Sequence, residues 1–136
     1  MRRVLVDTNA YTAFKTGESE IIAILQHADV IGISTIVLGE LLAGFAIGSK
    51  SKKNLTELNE FLRTPRINIF SVDETTTNYY AEIYATLCRK GKPIPTNDLW
   101  IAATALQQGC KLCSYDKHFS YIDNLIVATE LAGFLL

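Results

Sequence analysis

Short apolar runs alternate along this chain with stretches of helical periodicity, and that alternation limits the fold more than any other feature. Val4-Leu5-Val6, Val30-Ile31-Gly32-Ile33, Ile67 to Val72, Lys111 to Ser114 and Leu125 to Ala128 read as strands. Asn9 to Lys15 and Ser19 to Ala28 read as helices, as does a segment capped by Ser34 or Thr35 that runs to about Ile47. Lys50 to Arg63 carries Leu55, Leu58, Phe61 and Leu62 at helical spacing. Ser71-Val72-Asp73-Glu74 fits a capping box opening a helix to about Lys90, and Thr96 or Asn97 caps another that ends at Gly109. The strands are short, β-branched and apolar on both faces. They predict an α/β/α three-layer fold with a central parallel sheet of about five strands. The 136 residues suit one domain spanning 1–136. In such sheets ligands sit beyond the carboxyl ends of the strands, so acids placed there attract notice.

Four carboxylates stand out. Asp7 ends an apolar strand in Val4-Leu5-Val6-Asp7-Thr8-Asn9; capping of the next helix is its ordinary role. Glu40 lies mid-helix with Ile36, Val37, Ala43 and Gly44 as neighbours three and four residues away, a face that does not look solvated. Asp98 sits in the first turn of its helix, where the dipole favours a negative charge, yet it shares a face with Ile101 and Ala102. Asp116 follows a second apolar strand, in Leu112-Cys113-Ser114-Tyr115-Asp116, where a turn-forming aspartate is the plain alternative. Four ionised carboxylates cannot share a pocket without counter-charge, so convergence predicts a hard divalent cation, Mg²⁺ or Mn²⁺. No histidine or cysteine is expected beside them, which disfavours zinc. A cluster of this kind suits phosphodiester hydrolysis.

Composition excludes several classes. Net charge is -1, so attraction to a polyanion must be local. Met1-Arg2-Arg3 runs straight into Val4-Leu5-Val6 and meets Asp7, an apolar run far too short for a signal peptide, so none is expected. No stretch approaches the roughly 20 apolar residues of a membrane span, and the chain is expected to be soluble and cytoplasmic. Cys88, Cys110 and Cys113 are too few for a disulfide framework, and Cys110 and Cys113 read as small packed residues.

At these residues the chain resembles a known family. Val6-Asp7-Thr8-Asn9, Glu40-Leu41, Asn97-Asp98-Leu99-Trp100-Ile101-Ala102-Ala103 and Ser114-Tyr115-Asp116-Lys117-His118-Phe119 look like the signature blocks of PIN-domain nucleases. Their order and the chain length are most similar to the VapC toxins of type II toxin–antitoxin systems. The resemblance runs from Arg3 to about Val127. It implies a PIN-like fold and an endoribonuclease with Mg²⁺, replaceable by Mn²⁺, held by Asp7, Glu40, Asp98 and Asp116. Thr8, Asn9 and Ser114 would orient the carboxylates; Ser114 stands where threonine is more frequent. It also implies a homodimer, an RNA substrate with tRNA among the candidates, and a VapB-like antitoxin lying across the site. Tyr11, Phe14, Phe45 and Ile47 could serve those protein contacts, although core packing is the usual role of such residues.

Two basic clusters could hold phosphates: Lys50, Lys52 and Lys53, with Arg63 and Arg66 further on, and Arg89, Lys90 and Lys92, which come just before Asp98. The alternatives are a catalytically inactive PIN-fold module that binds RNA or protein, and a phosphoacceptor signalling domain. The second would need a lysine after the last strand, and none follows Leu125 to Ala128.

Overall fold

The computed structural model describes residues 2–135; Met1 and Leu136, the two ends of the expected domain, lie outside them. The elements are β1 (Arg3–Val6), α1 (Thr8–Lys15), α2 (Ser19–His27), β2 (Val30–Ser34), α3 (Thr35–Ile47), α4 (Ser51–Leu62), β3 (Ile67–Phe70), α5 (Glu74–Lys90), α6 (Thr96–Gln107), β4 (Lys111–Cys113) and β5 (Val127–Ala128). Short 3₁₀ turns cover Lys117–Tyr121 and Leu131–Phe134. The sheet has five strands in the order β3-β2-β1-β4-β5, and every pairing is parallel.

That order decides where a ligand can sit. The chain moves outwards from β1 to β2 and β3, then returns to lay β4 against the other side of β1. Right-handed crossovers place the helices of the outward leg, α1 to α4, on one face and α5 with α6 on the other. The crevice opens where the direction reverses, beyond the carboxyl ends of β1 and β4. Register there is fixed by Leu5 opposite Leu112 and Val6 opposite Cys113. Leu5, Val6, Ile33, Ile101, Leu112 and Phe119 are all buried and form the centre of the core.

Several elements differ from the sequence reading. β3 stops at Phe70, and as an edge strand it leaves Ile69 exposed instead of burying both faces. The cap of α5 is Asp73 with Thr76, not Ser71 with Glu74. Asp73 accepts from the Thr76 amide, its own N–H donates to the Thr76 hydroxyl, and Gln107 of α6 donates to the same carboxylate. Thr76 is buried where α5 meets α6, a tertiary setting the local pattern does not carry. Neither Thr96 nor Asn97 caps α6, which starts after Pro95 without a side-chain cap. Arg66 is not free for phosphate: its guanidinium donates to the carbonyls of Leu25 and Ala28, both at 2.7 Å, and so closes the C-terminal end of α2. In the second half of α3, Leu41 and Phe45 still pack on the core, while Leu42 and Ile47 are exposed.

Gly32 in β2 lies under the Phe70 ring, and a Cβ there would run into that ring and touch Leu5. Arg3 sits over the same ring, its guanidinium carbon 5.9 Å from the centroid. Gly32→Ala is therefore expected to destabilise the fold by about 1–3 kcal/mol through overpacking. Phe70→Leu in the same chain should recover part of that loss, as read by urea unfolding and a double-mutant cycle.

Candidate metal centre

Asp7 follows β1 directly and its amide donates to the Cys113 carbonyl of β4, so both strands set its position. The residue is buried at 5% exposure. One carboxylate oxygen accepts from the Thr8 amide at 2.8 Å as α1 begins, and the other accepts from the Ser114 hydroxyl at 2.6 Å. The capping role and the crevice position are thus held by one side chain. Asp116 repeats the arrangement after β4. It precedes the Lys117–Tyr121 turn, accepts from the His118 amide at 2.9 Å, and gives its own N–H to the Ser114 hydroxyl at 3.0 Å.

Glu40 reaches the crevice from α3. Its two oxygens accept from the Thr8 hydroxyl at 2.7 Å and the Asn97 amide group at 3.3 Å. The apolar neighbours in its helix do not enclose it, because Gly39, Ala43 and Gly44 are exposed; the carboxylate is half-buried and held by polar partners. Asp98 enters from the first turn of α6, half-buried, 3.2 Å from His118 Nδ1. His118 also stands 3.0 Å from Asp116 Oδ1. Asn9 completes the support. Its amide nitrogen is 3.5 Å from the Ser114 hydroxyl, and its oxygen accepts from the Tyr115 amide at 3.1 Å.

The contacts close into a ring. Glu40 joins Thr8, beside Asp7; Asp7 joins Ser114; Ser114 joins Asp116; His118 links Asp116 to Asp98; and Asn97 returns to Glu40. Four carboxylates from β1, α3, α6 and the β4 exit face one crevice, with a half-exposed histidine as the basic group in contact with them. The electrostatics record the crowding. Burial raises the Asp7 carboxyl above its ordinary value against the pull of Ser114 and Thr8, and the charges of Glu40 and Asp116 raise it further. Asp98 is pushed up to about 6, first by burial and then by the charge of Asp116. Such a donor set of carboxylate oxygens fits a hard divalent cation. Asp98, Asp116 and His118 each offer a ligand atom within 4.8 Å of the others. Cys113, next to this edge, cannot compete as a thiolate, because burial pushes its thiol up to about 12.

Known proteins agree with this architecture. The family model described as PIN domain matches residues 4–125. The chain belongs to the PIN domain family. Within it, the chain is VapC-like. Ribonuclease VapC2 of Rickettsia felis is 36% identical over 105 residues, covering 76% of this chain and 77% of that protein. Ribonuclease VapC1 of Haemophilus influenzae (strain R2866) is 32% identical over 126 residues, covering 89% and 92%. The crystal structure of VapBC2 from Rickettsia felis, bound to a DNA fragment from their promoter, matches with a TM-score of 0.80 at 30% identity, over 93% of this chain and 97% of that one.

Two residues of this PIN domain were missed in the sequence. His118 contradicts the expectation that no histidine accompanies the acids; its spacing in Asp116-Lys117-His118 is the available signal, since an aspartate that caps a turn accepts from the amide two residues on and draws that residue to its carboxylate. Asn97 precedes Asp98 and was read as a cap, but its side chain turns to Glu40. Of the basic residues, Lys90 is paired with Asp123 at 2.7 Å, Lys53 stands 3.9 Å from Glu57, and Lys92 lies over the Tyr121 ring. Arg89 donates to the Thr86 hydroxyl, and Lys50 and Lys52 are exposed at the start of α4. Tyr11 is buried edge-on against Phe61, Phe14 and Phe45 are half-buried, and Ile47 is 90% exposed. All three cysteines are free, with Cys110 and Cys113 buried. Among the described residues no helix is long and apolar enough to cross a membrane.

The raised Asp98 makes the metal-free PIN domain sensitive to pH. Folded Asp98 keeps its proton up to about pH 6, whereas the unfolded group loses it near 3.8. Over that window the folded state holds more protons, so stability falls as pH rises. Asp73, lowered by its cap, acts below 3.8 and outside the window. In EDTA the melting temperature should be about 2–5 °C higher at pH 5 than at pH 7. Asp7 is raised in the same sense, so Asp98→Asn should reduce that difference and leave the share of Asp7; a melting temperature that rises over the same interval in both proteins contradicts the assignment.

Proposed function

We propose that this VapC-like chain is a Mg²⁺- or Mn²⁺-dependent endoribonuclease, one catalytic unit over its length, and the toxin of a pair with a VapB-like antitoxin. The observation that carries the reading is the closed ring of contacts holding Asp7, Glu40, Asp98 and Asp116 at the sheet's switch point, with Asp7 and Asp98 raised by burial and mutual repulsion. Groups disturbed in this way are a usual mark of a working site.

The four carboxylates would hold the cation. When bound, it would supply Lewis-acid stabilisation of phosphodiester oxygens and ease deprotonation of an attacking water. The remaining tasks belong to the chain. Ser114 and the Thr8 amide fix both oxygens of Asp7, so its position costs no reordering when substrate arrives. The Thr8 hydroxyl and Asn97 fix Glu40 in the same way, and Asn9 steadies Ser114 and the strand exit. Arg89 and Lys92 lie at the end of α5 and in the loop leading to Asp98, suited to gripping the backbone of a single-stranded RNA segment, a tRNA loop among the candidates, while Lys90 would first have to leave Asp123 and the Tyr121 carbonyl; Lys50, Lys52 and Lys53 are the second set.

The protein contacts follow the same logic. A groove of about 240 Å³ beside the crevice is lined by Tyr11, Leu41, Phe45 and Asn54, and could receive an apolar segment of an antitoxin. The exposed face of the second half of α3, ending in Ile47, would serve contact with a second copy in a homodimer. The solved relative is VapBC2, bound to a DNA fragment from their promoter, which supports a VapB-like partner for this chain.

Cleavage of tRNA and structured RNA by purified protein with Mg²⁺, Mn²⁺ or EDTA tests the activity. Products should need metal. Ser114→Ala should lower the rate about 10–100-fold by freeing Asp7, and Asp7→Asn and Asp98→Asn should lower it further. An inactive binding module would instead hold RNA with no metal-dependent turnover in any variant.

A further inference from the structure

His118 has no assigned task in the four-acid reading, yet its ring occupies the middle of the site. Nδ1 lies 3.0 Å from Asp116 Oδ1 and 3.2 Å from Asp98 Oδ2. The position is built by the backbone. The His118 amide donates to the same Asp116 oxygen at 2.9 Å, and the next residue, Phe119, is fully buried and anchors the turn. Nδ1 therefore faces two carboxylates, and its own lone pair is tolerable there only with something positive between them: a proton on the ring or a cation in the crevice. Ligands adjacent on an octahedral cation, with bonds of about 2.1 Å, stand about 3.0 Å apart. The separations at Nδ1 suit that spacing. The side chain is 48% exposed, so the ring can meet water on its far side, where a hydrogen on Nε2 would be satisfied.

We infer that His118 supplies a nitrogen ligand, through Nδ1, to the cation shared by Asp98 and Asp116, and that this nitrogen biases the site towards Mn²⁺ over Mg²⁺. The inference rests on the metal-site reading above. Mg²⁺ demands oxygen ligands and gives up its waters reluctantly, whereas imidazole nitrogen raises affinity for transition metals. Oxygen ligands alone would give the site little means of telling the two ions apart. The contact also supplies selectivity without a change in the acids: Asp7 and Glu40 lie on the other side of the ring of contacts and meet no nitrogen ligand of this kind.

The test is spectroscopic and uses the full chain without a polyhistidine tag. Electron spin-echo envelope modulation of bound Mn²⁺ should show one directly coordinated imidazole ¹⁴N in the wild type. It should persist in His27→Gln, the chain's other histidine, and vanish in His118→Gln, with folding checked by circular dichroism. By calorimetry His118→Gln should weaken Mn²⁺ binding about tenfold and leave Mg²⁺ binding nearly unchanged. A wild-type spectrum without nitrogen coupling, or equal loss of both ions in His118→Gln, overturns the inference. If Mn²⁺ then still binds and Asp98→Asn abolishes it, the acid site stands and His118 only bridges the acids. If Mn²⁺ fails to bind, or binds Asp98→Asn as well as wild type, the acid site itself falls and the inference with it.

Discussion

Like charges repel, and this fold spends much of its local structure on keeping like charges together. Asp7, Glu40, Asp98 and Asp116 arrive from four separate elements at one edge of the sheet, and burial makes their mutual repulsion stronger than it would be in water. The parallel sheet makes the meeting unavoidable. With β1 and β4 adjacent and pointing the same way, whatever follows each strand must emerge on the same rim. Everything else at the site offsets the consequence. Hydroxyl and amide donors from Thr8, Ser114 and Asn97 are aimed at carboxylate oxygens, and helix starts at Asp7 and Asp98 bring partial positive charge to the same place.

This explains why the ordinary and the functional readings of these aspartates do not compete. A helix N-terminus is a place where a carboxylate is stabilised, and the βα junctions of a parallel sheet put such N-termini around the rim. Asp7 closes the first turn of α1 and faces the crevice with the same carboxylate. Asp116 does so for the 3₁₀ turn after β4. Ser114 shows the economy of the design: one hydroxyl donates to Asp7 and accepts from the Asp116 amide, so a single atom sets the relation between two of the acids.

Periodicity made the parallel sheet and the helices legible in the sequence, and the placing of Asp7 and Asp116 beyond strand ends pointed to one rim of it, because each rests on local chemistry. What stayed hidden depends on partners distant along the chain. The Asp73–Thr76 box is selected by Gln107, and Arg66 is claimed by the end of α2. The polar setting of Glu40 is not written in its apolar helix, because the neighbours beside it, Gly39, Ala43 and Gly44, are exposed while Leu41 and Phe45 of the same helix pack on the core. His118 was overlooked because its approach to Asp98 spans 20 residues, and only the short turn at Asp116 brings the ring across.

The link between Asp7 and Ser114 joins residues 107 positions apart. β1 precedes β2 and β3 along the chain, whereas β4, its neighbour on the other side, follows α5 and α6. On the ribosome, then, a growing chain can pair β1 with β2 and β3 and still have no site at all. The crevice comes into being only when β4 slots into place, and that closure is a long-range event of the kind that slows folding. The carboxylate crevice is therefore a property of the assembled sheet and of no contiguous half of it: its acids can meet only once β4 lies beside β1.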